Sequence, residues 1–187
     1  MKNYITYTDK YNDFSRTLLR AVAEKEKKGN VVVSPLSVIA ALCMAARAAG
    51  GKTREEILSY ISDGCSLDEM ISVISDITER TQKTGELKNA NAVGVAERIK
   101  DSINEDFVRS LKEDFDGELF ASADMEKDVN NWVKEHTNGM IDKLLSGSVD
   151  DLIACILNAV AFEADWEEQY DEDDIRTDEF TNATLSC

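Results

Sequence analysis

The sequence predicts an α+β fold in which helices pack around a central sheet. Apolar side chains recur every three or four residues over several long segments, which is the spacing of one face of a helix. Residues 152–162 are instead apolar on both faces, as in a strand that is covered on both sides. Of the 187 residues, 43% are hydrophobic, so the chain is expected to build a core as one domain or as part of a larger one.

The first two helices are predicted on either side of a short strand. The first helix covers residues 3–28, and its apolar stripe consists of Tyr4, Tyr7, Tyr11, Phe14, Leu18 and Val22. Three consecutive valines, 31–33, predict a short buried strand. Ser34 and Pro35 then open a helix through Ala49, because proline fits the first helical turn. This helix is apolar nearly all round, so we expect it to lie inside the protein.

Two capping-box patterns predict the starts of the next two helices. Thr53 with Glu56 predicts a helix that ends near residue 61. Ser66 with Glu69 predicts a second helix that continues to about residue 82.

The second half of the chain combines strands and helices. Its patterns predict a strand over residues 87–95, an amphipathic helix over residues 103–115 and a brief strand over residues 119–123. A long helix follows, and one of its faces carries Val129, Trp132, Val133, His136 and Met140. Asn138 and Gly139 predict a cap or distortion near its end.

Asn158 is the only strongly polar side chain within the apolar strand 152–162. A buried amide that lacks hydrogen-bond partners costs about 1–3 kcal/mol. The sequence therefore predicts a polar partner site for Asn158 in the core. An ordinary core amide with no further role is the alternative interpretation.

The chain is strongly acidic, with a formal net charge of −16. An acidic surface repels phosphate groups, so neither nucleic acid nor an anionic membrane is an expected partner. No apolar stretch is long enough to predict a transmembrane helix, and residues 1–10 lack the apolar core of a signal peptide. The localisation is therefore open, because the chain either stays inside the cell or has lost an export signal.

No catalytic, cofactor or metal site is predicted. The cysteines are widely spaced and match no metal motif, so we interpret them as free structural thiols; they are Cys43, Cys65, Cys155 and Cys187. His136 has no cysteine or histidine near it and is interpreted as a packed histidine. The acidic run 171–174 lacks the pattern of a calcium loop. No nucleophile has an evident base, so an enzyme is not expected.

Several segments of the chain resemble the serpin family, in the family's order. Residues 30–37, Asn-Val-Val-Val-Ser-Pro-Leu-Ser, resemble its strand that runs into a buried helix. Residues 51–57 resemble the following turn and helix, and the Asn-Ala-Asn-Ala run at 89–92 resembles the second strand of its large sheet. Residues 130–145 resemble the helix that crosses the front of that sheet. Residues 157–162, Leu-Asn-Ala-Val-Ala-Phe, resemble its third strand.

The chain departs from the family pattern in two ways. After Phe162 the family usually places a basic residue and a glycine before a tryptophan, whereas this chain has Glu163, Ala164 and Asp165 before Trp166. A complete member of the family is also much longer. The resemblance therefore implies that the chain is the N-terminal part of a single serpin domain, with the reactive loop and the C-terminal strands absent from it.

The resemblance implies that the complete form inhibits serine-type endopeptidases, with cysteine endopeptidases as a further class. In this mechanism the protease cleaves an exposed loop, which then enters the large sheet beside strand 152–162. The resemblance places Ser34, Ser37 and Asn158 in a cluster beneath the centre of the sheet, where the strands part. It places Trp166 at the top of the sheet, where insertion begins. Taken alone, without the resemblance, Ser34 is better interpreted as a simple helix cap.

The expected partners are a serine-type protease and the missing C-terminal half. No cofactor is expected, and heparin is not an expected partner because the corresponding region, residues 67–82, is acidic. Two alternatives stay open: a truncated or split serpin fragment that acts as a structural or interaction module, and a non-inhibitory serpin. The resemblance favours an extracellular protein, and a cytoplasmic one is the alternative.

Overall fold

The computed structural model describes residues 4–26, 29–62, 64–83, 85–147, 149, 151–168 and 170–177. The helices are α1 (Tyr4–Lys25), α2 (Pro35–Ala48), α3 (Gly51–Ile61), α4 (Leu67–Gln82), α5 (Glu105–Phe115) and α6 (Met125–His136). The strands are β1 (Leu87–Ala96), β2 (Gly117–Ser122) and β3 (Ala154–Phe162). Short 3-10 helices cover Glu97–Ser102 and Glu172–Asp174. The predicted α+β class is confirmed.

The three strands form one sheet in the order β2-β1-β3. β1 pairs in parallel with β2 and antiparallel with β3. Asn91 lies at the centre of the sheet, because its register partners are Gly117 on β2 and Asn158 on β3. Within the described part of the chain, no strand pairs with the outer edge of β3.

Each face of the sheet is covered by helices. On one face, β1 and β3 pack with α2, α4 and α5, and this first cluster includes Ile39, Met70, Val93 and Leu111. On the other face they pack with α6, and this second cluster includes Ala92, Val129, Trp132 and Leu157. Side chains alternate between the faces along a strand. Leu157 and Ala159 therefore face α6, whereas Ile156 packs against the first cluster.

One of the two predicted capping boxes forms. Ser66 Oγ accepts a hydrogen bond from Glu69 N at 3.3 Å, and Glu69 Oε2 accepts one from Ser66 N at 2.9 Å. The box predicted at Thr53 is wrong, because α3 begins at Gly51 and its N-cap is Gly50. Thr53 therefore lies inside the first turn, where its side chain cannot cap the helix.

The predicted strand at residues 31–33 is also wrong. These residues have no regular secondary structure, and the side chain of Val32 is 93% exposed. A strand forms only where a second strand supplies its hydrogen bonds, and no described segment does so here.

The residues predicted to share one face of α6 belong to the helix as far as His136, whereas Met140 lies beyond its end. The helix ends at His136, and Met140 is 52% exposed. Asn138 has φ 52° and Gly139 has φ 76°, so two consecutive left-handed residues reverse the chain. The predicted cap at Asn138 and Gly139 is thus present.

Candidate functional site

Three asparagines form a hydrogen-bonded group between the central strand β1 and its neighbour β3. Asn158 Nδ2 donates to Asn89 Oδ1 at 2.9 Å and to Asn91 Oδ1 at 2.7 Å. Asn89 and Asn91 are two residues apart on β1, so both point to the same face of the sheet. The partner site that the sequence predicts for Asn158 therefore exists, and it belongs to the neighbouring strand.

The asparagine group extends to two helices. Asn91 Nδ2 donates to the backbone oxygen of Phe115, the last residue of α5, at 2.8 Å. Asn89 Nδ2 lies 3.5 Å from Thr78 Oγ1 on α4. The group thus joins β3 to β1 and, through β1, to α4 and α5, two of the helices that cover this face.

One buried atom of the group has no hydrogen-bond partner in the described part of the chain. Asn158 Oδ1 is buried and accepts no hydrogen bond from the described residues. An amide oxygen can accept two hydrogen bonds, and burying it unpaired is unfavourable by about 1–3 kcal/mol.

Ser34 and Ser37 lie at the start of α2. Ser34 is the N-cap: its Oγ accepts from Ser37 N at 3.3 Å and from Ser37 Oγ at 2.8 Å. The two hydroxyls thus bond each other, and the helix-cap interpretation of Ser34 fits this geometry. Asn158 shares the strand face of Ile156, which packs against the α2 cluster. The structure therefore places the serines and Asn158 on the same side of the sheet, without a hydrogen bond between them.

Trp166 lies beyond the end of β3 and is not packed over the sheet. Its side chain is 74% exposed, and it makes an edge-to-face contact with Tyr170 at a ring-centroid distance of 6.4 Å. Phe162, the last residue of β3, is 64% exposed. The end of β3 and the segment after it thus present large apolar side chains to solvent.

His136 has a partner at each ring nitrogen. It stacks on Trp132 at a centroid distance of 4.4 Å, and its Nδ1 lies 2.8 Å from the Trp132 backbone oxygen. Its Nε2 lies 3.7 Å from Glu118 Oε1, which also accepts a hydrogen bond from Trp132 Nε1. The interpretation of His136 as a packed histidine fits these contacts, whereas only Nδ1 is within hydrogen-bond distance of its oxygen.

Among the described cysteines, Cys43, Cys65 and Cys155, none forms a disulfide, and Cys187 lies outside the described residues. Burial raises the pKa of Cys43 to about 12, an effect that the nearby Arg47 partly offsets. Across the described residues, no group of three or more His, Cys, Asp or Glu side chains is arranged to hold a metal ion. None of the described helices has the length and apolar character of a membrane span.

Asn89 and Asn91 are functional-site residues that were not predicted from the sequence. Both stand in the Asn-Ala-Asn-Ala run of β1, and their spacing of two residues was the available signal, because it places both amides on one face of a strand. Which residues of β3 they contact depends on the register between β1 and β3. The local sequence does not determine that register.

Comparisons with known proteins identify the family. The model of the serpin (serine protease inhibitor) family matches residues 9–185. A search of curated proteins gives no match. Among solved structures, the chain is similar to tengpin, a thermophilic serpin in the latent state, with 28% identity and a TM-score of 0.69 over 78% of this chain and 41% of that one.

Two further structures are similar. A native, stressed serpin from Arabidopsis has 25% identity and a TM-score of 0.75, over 87% of this chain and 44% of that one. Thyroxine-binding globulin in complex with thyroxine has 21% identity and a TM-score of 0.77, over 90% of this chain and 48% of that one. The chain thus spans less than half the length of each of these three structures. Because the family model covers almost the whole sequence, the chain belongs to the serpin family.

Proposed function

We propose that this chain is the N-terminal part of a serpin whose complete form inhibits serine-type endopeptidases, with cysteine endopeptidases as a further class. The protease would cleave an exposed loop outside this chain, and the loop would enter the sheet as a new strand next to β3. The energy for this step would come from the backbone hydrogen bonds and the buried area that the added strand gains. The partners of the chain would be the protease and the C-terminal half.

The free outer edge of β3 supports this proposal. β1 occupies one edge of β3, and no described strand occupies the other. An unpaired strand edge presents a row of N–H and C=O groups that favour the addition of another strand. β3 is packed on both faces, so an added strand would continue two existing cores.

The observation that carries the proposal is the hydrogen bonding of Asn158. Its Nδ2 bonds the amides of β1, and its buried Oδ1 has no donor among the described residues. A donor from the missing half would satisfy this oxygen in the closed sheet. Insertion of a strand beside β3 would then separate Asn158 from that donor, while the bonds to Asn89 and Asn91 stay in place.

Ser34 and Ser37 would take part in the same opening step, and Trp166 would lie where insertion begins. Among the residues that the structure describes, the two hydroxyls bond each other and the first turn of α2, and we propose that they exchange these partners as the sheet changes. Trp166 follows the end of β3 and is exposed, which leaves it accessible to the missing half.

A trapping assay tests this function. The complete protein would be incubated with serine-type proteases and the mixture separated on a denaturing gel. The proposal predicts a covalent complex of protease and inhibitor, and no complex with protease whose catalytic serine is blocked. Cleavage of the loop without any covalent complex would refute the proposed inhibition and favour a non-inhibitory serpin.

A further inference from the structure

The sheet has a second free edge, on the outer side of β2. Within the described residues, no strand pairs with this side. The strand order β2-β1-β3 places it opposite the edge of β3 where a loop would be inserted. Neighbouring strands lie about 4.8 Å apart, so the whole width of the sheet separates the two free edges. A strand added to β2 would therefore leave the insertion site beside β3 open.

The strand register shows which backbone groups of β2 face outward. Ala96 N donates to Ile153 O at 2.8 Å, and bonds of this kind recur at every second residue of an antiparallel pair. The even-numbered residues of β1 therefore bond to β3, and its odd-numbered residues bond to the even-numbered residues of β2. Leu119 and Ala121 consequently present their N–H and C=O groups on the outer side of β2. Neither has a backbone hydrogen bond there to another described residue.

β2 lacks the features that usually protect an edge strand. Proteins discourage pairing at such edges with lysine, proline or a bulge. The six residues Gly117–Ser122 include neither lysine nor proline, and their pairing with β1 is continuous from Asn91 to Ala96. The one charged side chain of β2, Glu118, accepts a hydrogen bond from Trp132 Nε1 and is thus held on the α6 face of the sheet. The outer side of β2 is therefore able to pair with another strand.

An open cavity of about 930 Å³ lies at the start of this edge. α5 lines it on one face of the sheet and His136, at the end of α6, lines it on the other, so the cavity opens at the edge itself. Its apolar lining includes Leu119 of β2 and Val108 of α5, which is 36% exposed. Every second side chain of an added strand would point to the α5 face. The cavity therefore suits an apolar side chain of that strand.

The cavity carries an excess of negative charge when histidine is counted as neutral. Its three carboxylates are those of Glu105, Asp116 and Glu118. Its two cations are Arg109 and Lys112, and Arg109 already pairs with a further carboxylate, that of Asp106. The whole chain has a formal net charge of −16, so two copies of it repel each other. Charge thus favours a basic segment of another protein at this edge over a second copy of this chain.

We propose that the outer edge of β2 binds an extended, basic segment of a partner protein, which adds to the sheet as a strand and places an apolar side chain in the cavity beside α5. Its backbone would bond to Leu119 and Ala121. In this mode of recognition, main-chain hydrogen bonds provide affinity and alternate side chains provide specificity. The inference goes beyond the proposed function, because the edge of β2 takes no part in insertion beside β3.

Binding of a model strand to the complete protein tests the proposal. The probe is the fluorescently labelled peptide acetyl-Lys-Val-Lys-Val-Lys-Val-Lys-amide, and its binding is measured by anisotropy at physiological salt. Ala121→Pro removes an outward N–H of β2 but leaves the bonds to β1, because proline is tolerated where the N–H of an edge strand faces solvent. We expect this change to weaken binding tenfold or more. Ala121→Ser keeps the N–H and is the matched control, which should bind like the unchanged protein.

A second peptide separates strand addition from attraction by charge alone. Methylation of every backbone nitrogen keeps the side chains and the charge of the probe but removes its N–H donors, so its affinity should fall tenfold or more. This comparison uses the unchanged protein and holds even if Ala121→Pro does not fold. Glu105→Gln combined with Asp116→Asn should weaken binding of the unmethylated probe several-fold, because two carboxylates leave the cavity lining.

Several results would overturn the proposal. No measurable binding of the probe, equal binding by Ala121→Pro and Ala121→Ser, or equal binding of the methylated peptide would mean that no strand is added to β2. A dimer of the unchanged protein on size-exclusion chromatography that Ala121→Pro converts into a monomer would assign the edge to a second copy instead of a basic partner. None of these measurements uses protease trapping, so a failure of the proposed function would leave their outcome unchanged.

Discussion

Asn158 lies directly opposite Asn91 in the antiparallel pair of β3 and β1, and its Nδ2 donates to Asn91 Oδ1 at 2.7 Å. Asn91 in turn donates to the last backbone carbonyl of α5 at 2.8 Å. A single pair of amides therefore connects the edge strand to the centre of the sheet and to a helix beneath it.

The first prediction concerns Asn158→Ala in the complete protein. If Asn158 is an ordinary core amide, the change should lower the free energy of unfolding by roughly 1–3 kcal/mol, because its partners lose their hydrogen bonds. Inhibition should then fall only in proportion to the folded fraction. If Asn158 stabilises the closed sheet at the place where its strands separate, the variant should instead convert into an inactive inserted form or into polymers while it stays folded.

Native gels and residual inhibition after mild warming separate these outcomes. We expect the second one, because the donor proposed for Asn158 Oδ1 would be bonded only in the closed sheet, so its loss would destabilise that state more than the inserted one. A proportionate loss, with neither polymers nor a heat-resistant inactive monomer, would leave Asn158 as a structural amide.

The second prediction is that the protein does not bind heparin through α4. The helix carries four carboxylates: Asp68, Glu69, Asp76 and Glu79. Its basic neighbours are engaged, since Arg80 pairs with Asp76 at 3.3 Å and Lys83 with Glu79 at 2.8 Å. An acidic helix repels sulfate groups, so the protein should pass through a heparin column at physiological salt.

A charge-reversal variant provides the control for heparin binding. Asp76→Lys combined with Glu79→Lys should increase retention, because it frees two cations and adds two more. Retention of the unchanged protein at physiological salt would refute the charge argument.

The third prediction concerns these 187 residues expressed without the rest of a serpin. We expect a partly folded or aggregating species, because the outer edge of β3 is unpaired and Val32, Phe162 and Trp166 are largely exposed. Size-exclusion chromatography and thermal unfolding provide the measurement. A clean monomer with one sharp, cooperative transition would contradict this expectation.

The fourth prediction follows from the burial of Cys43, which raises the pKa of its thiol to about 12. Folding thus favours the neutral thiol over the thiolate. The contribution of the neutral Cys43 thiol to stability is fully present below the pKa of the thiol in the unfolded chain, about 8.5. It is lost as the pH rises from there towards 12. Alkylation near pH 8, read by mass spectrometry, should modify Cys43 far more slowly in the folded protein than in denaturant. Equal rates would show that the thiol is accessible.

The helices were predictable from the sequence where their signals are local. The capping box of Ser66 and Glu69 forms as predicted, because all of its atoms lie within one turn. Strand pairing is not local, and the predictions that depended on it were less accurate. The valines at 31–33 have the composition of a strand, yet they form none in the absence of a partner strand among the described residues.

The candidate site was predictable in part for the same reason. An amide inside an apolar strand implied partners for Asn158, and this required only the chemistry of one side chain. The identity of those partners, Asn89 and Asn91, depends on the register between β1 and β3. Asn158 lies 69 residues from Asn89 and 67 residues from Asn91 in the sequence. Such a register is set by packing across the whole sheet rather than by either strand alone.

Thermal unfolding before and after cleavage of the exposed loop tests the central proposal most directly. In the complete protein, the cut loop is expected to enter the sheet beside β3 and to add backbone hydrogen bonds to its free edge. The account therefore predicts a clear rise in the unfolding midpoint once the loop is cut. A midpoint that stays the same or falls would mean that no strand is inserted, and it would contradict inhibition by this route.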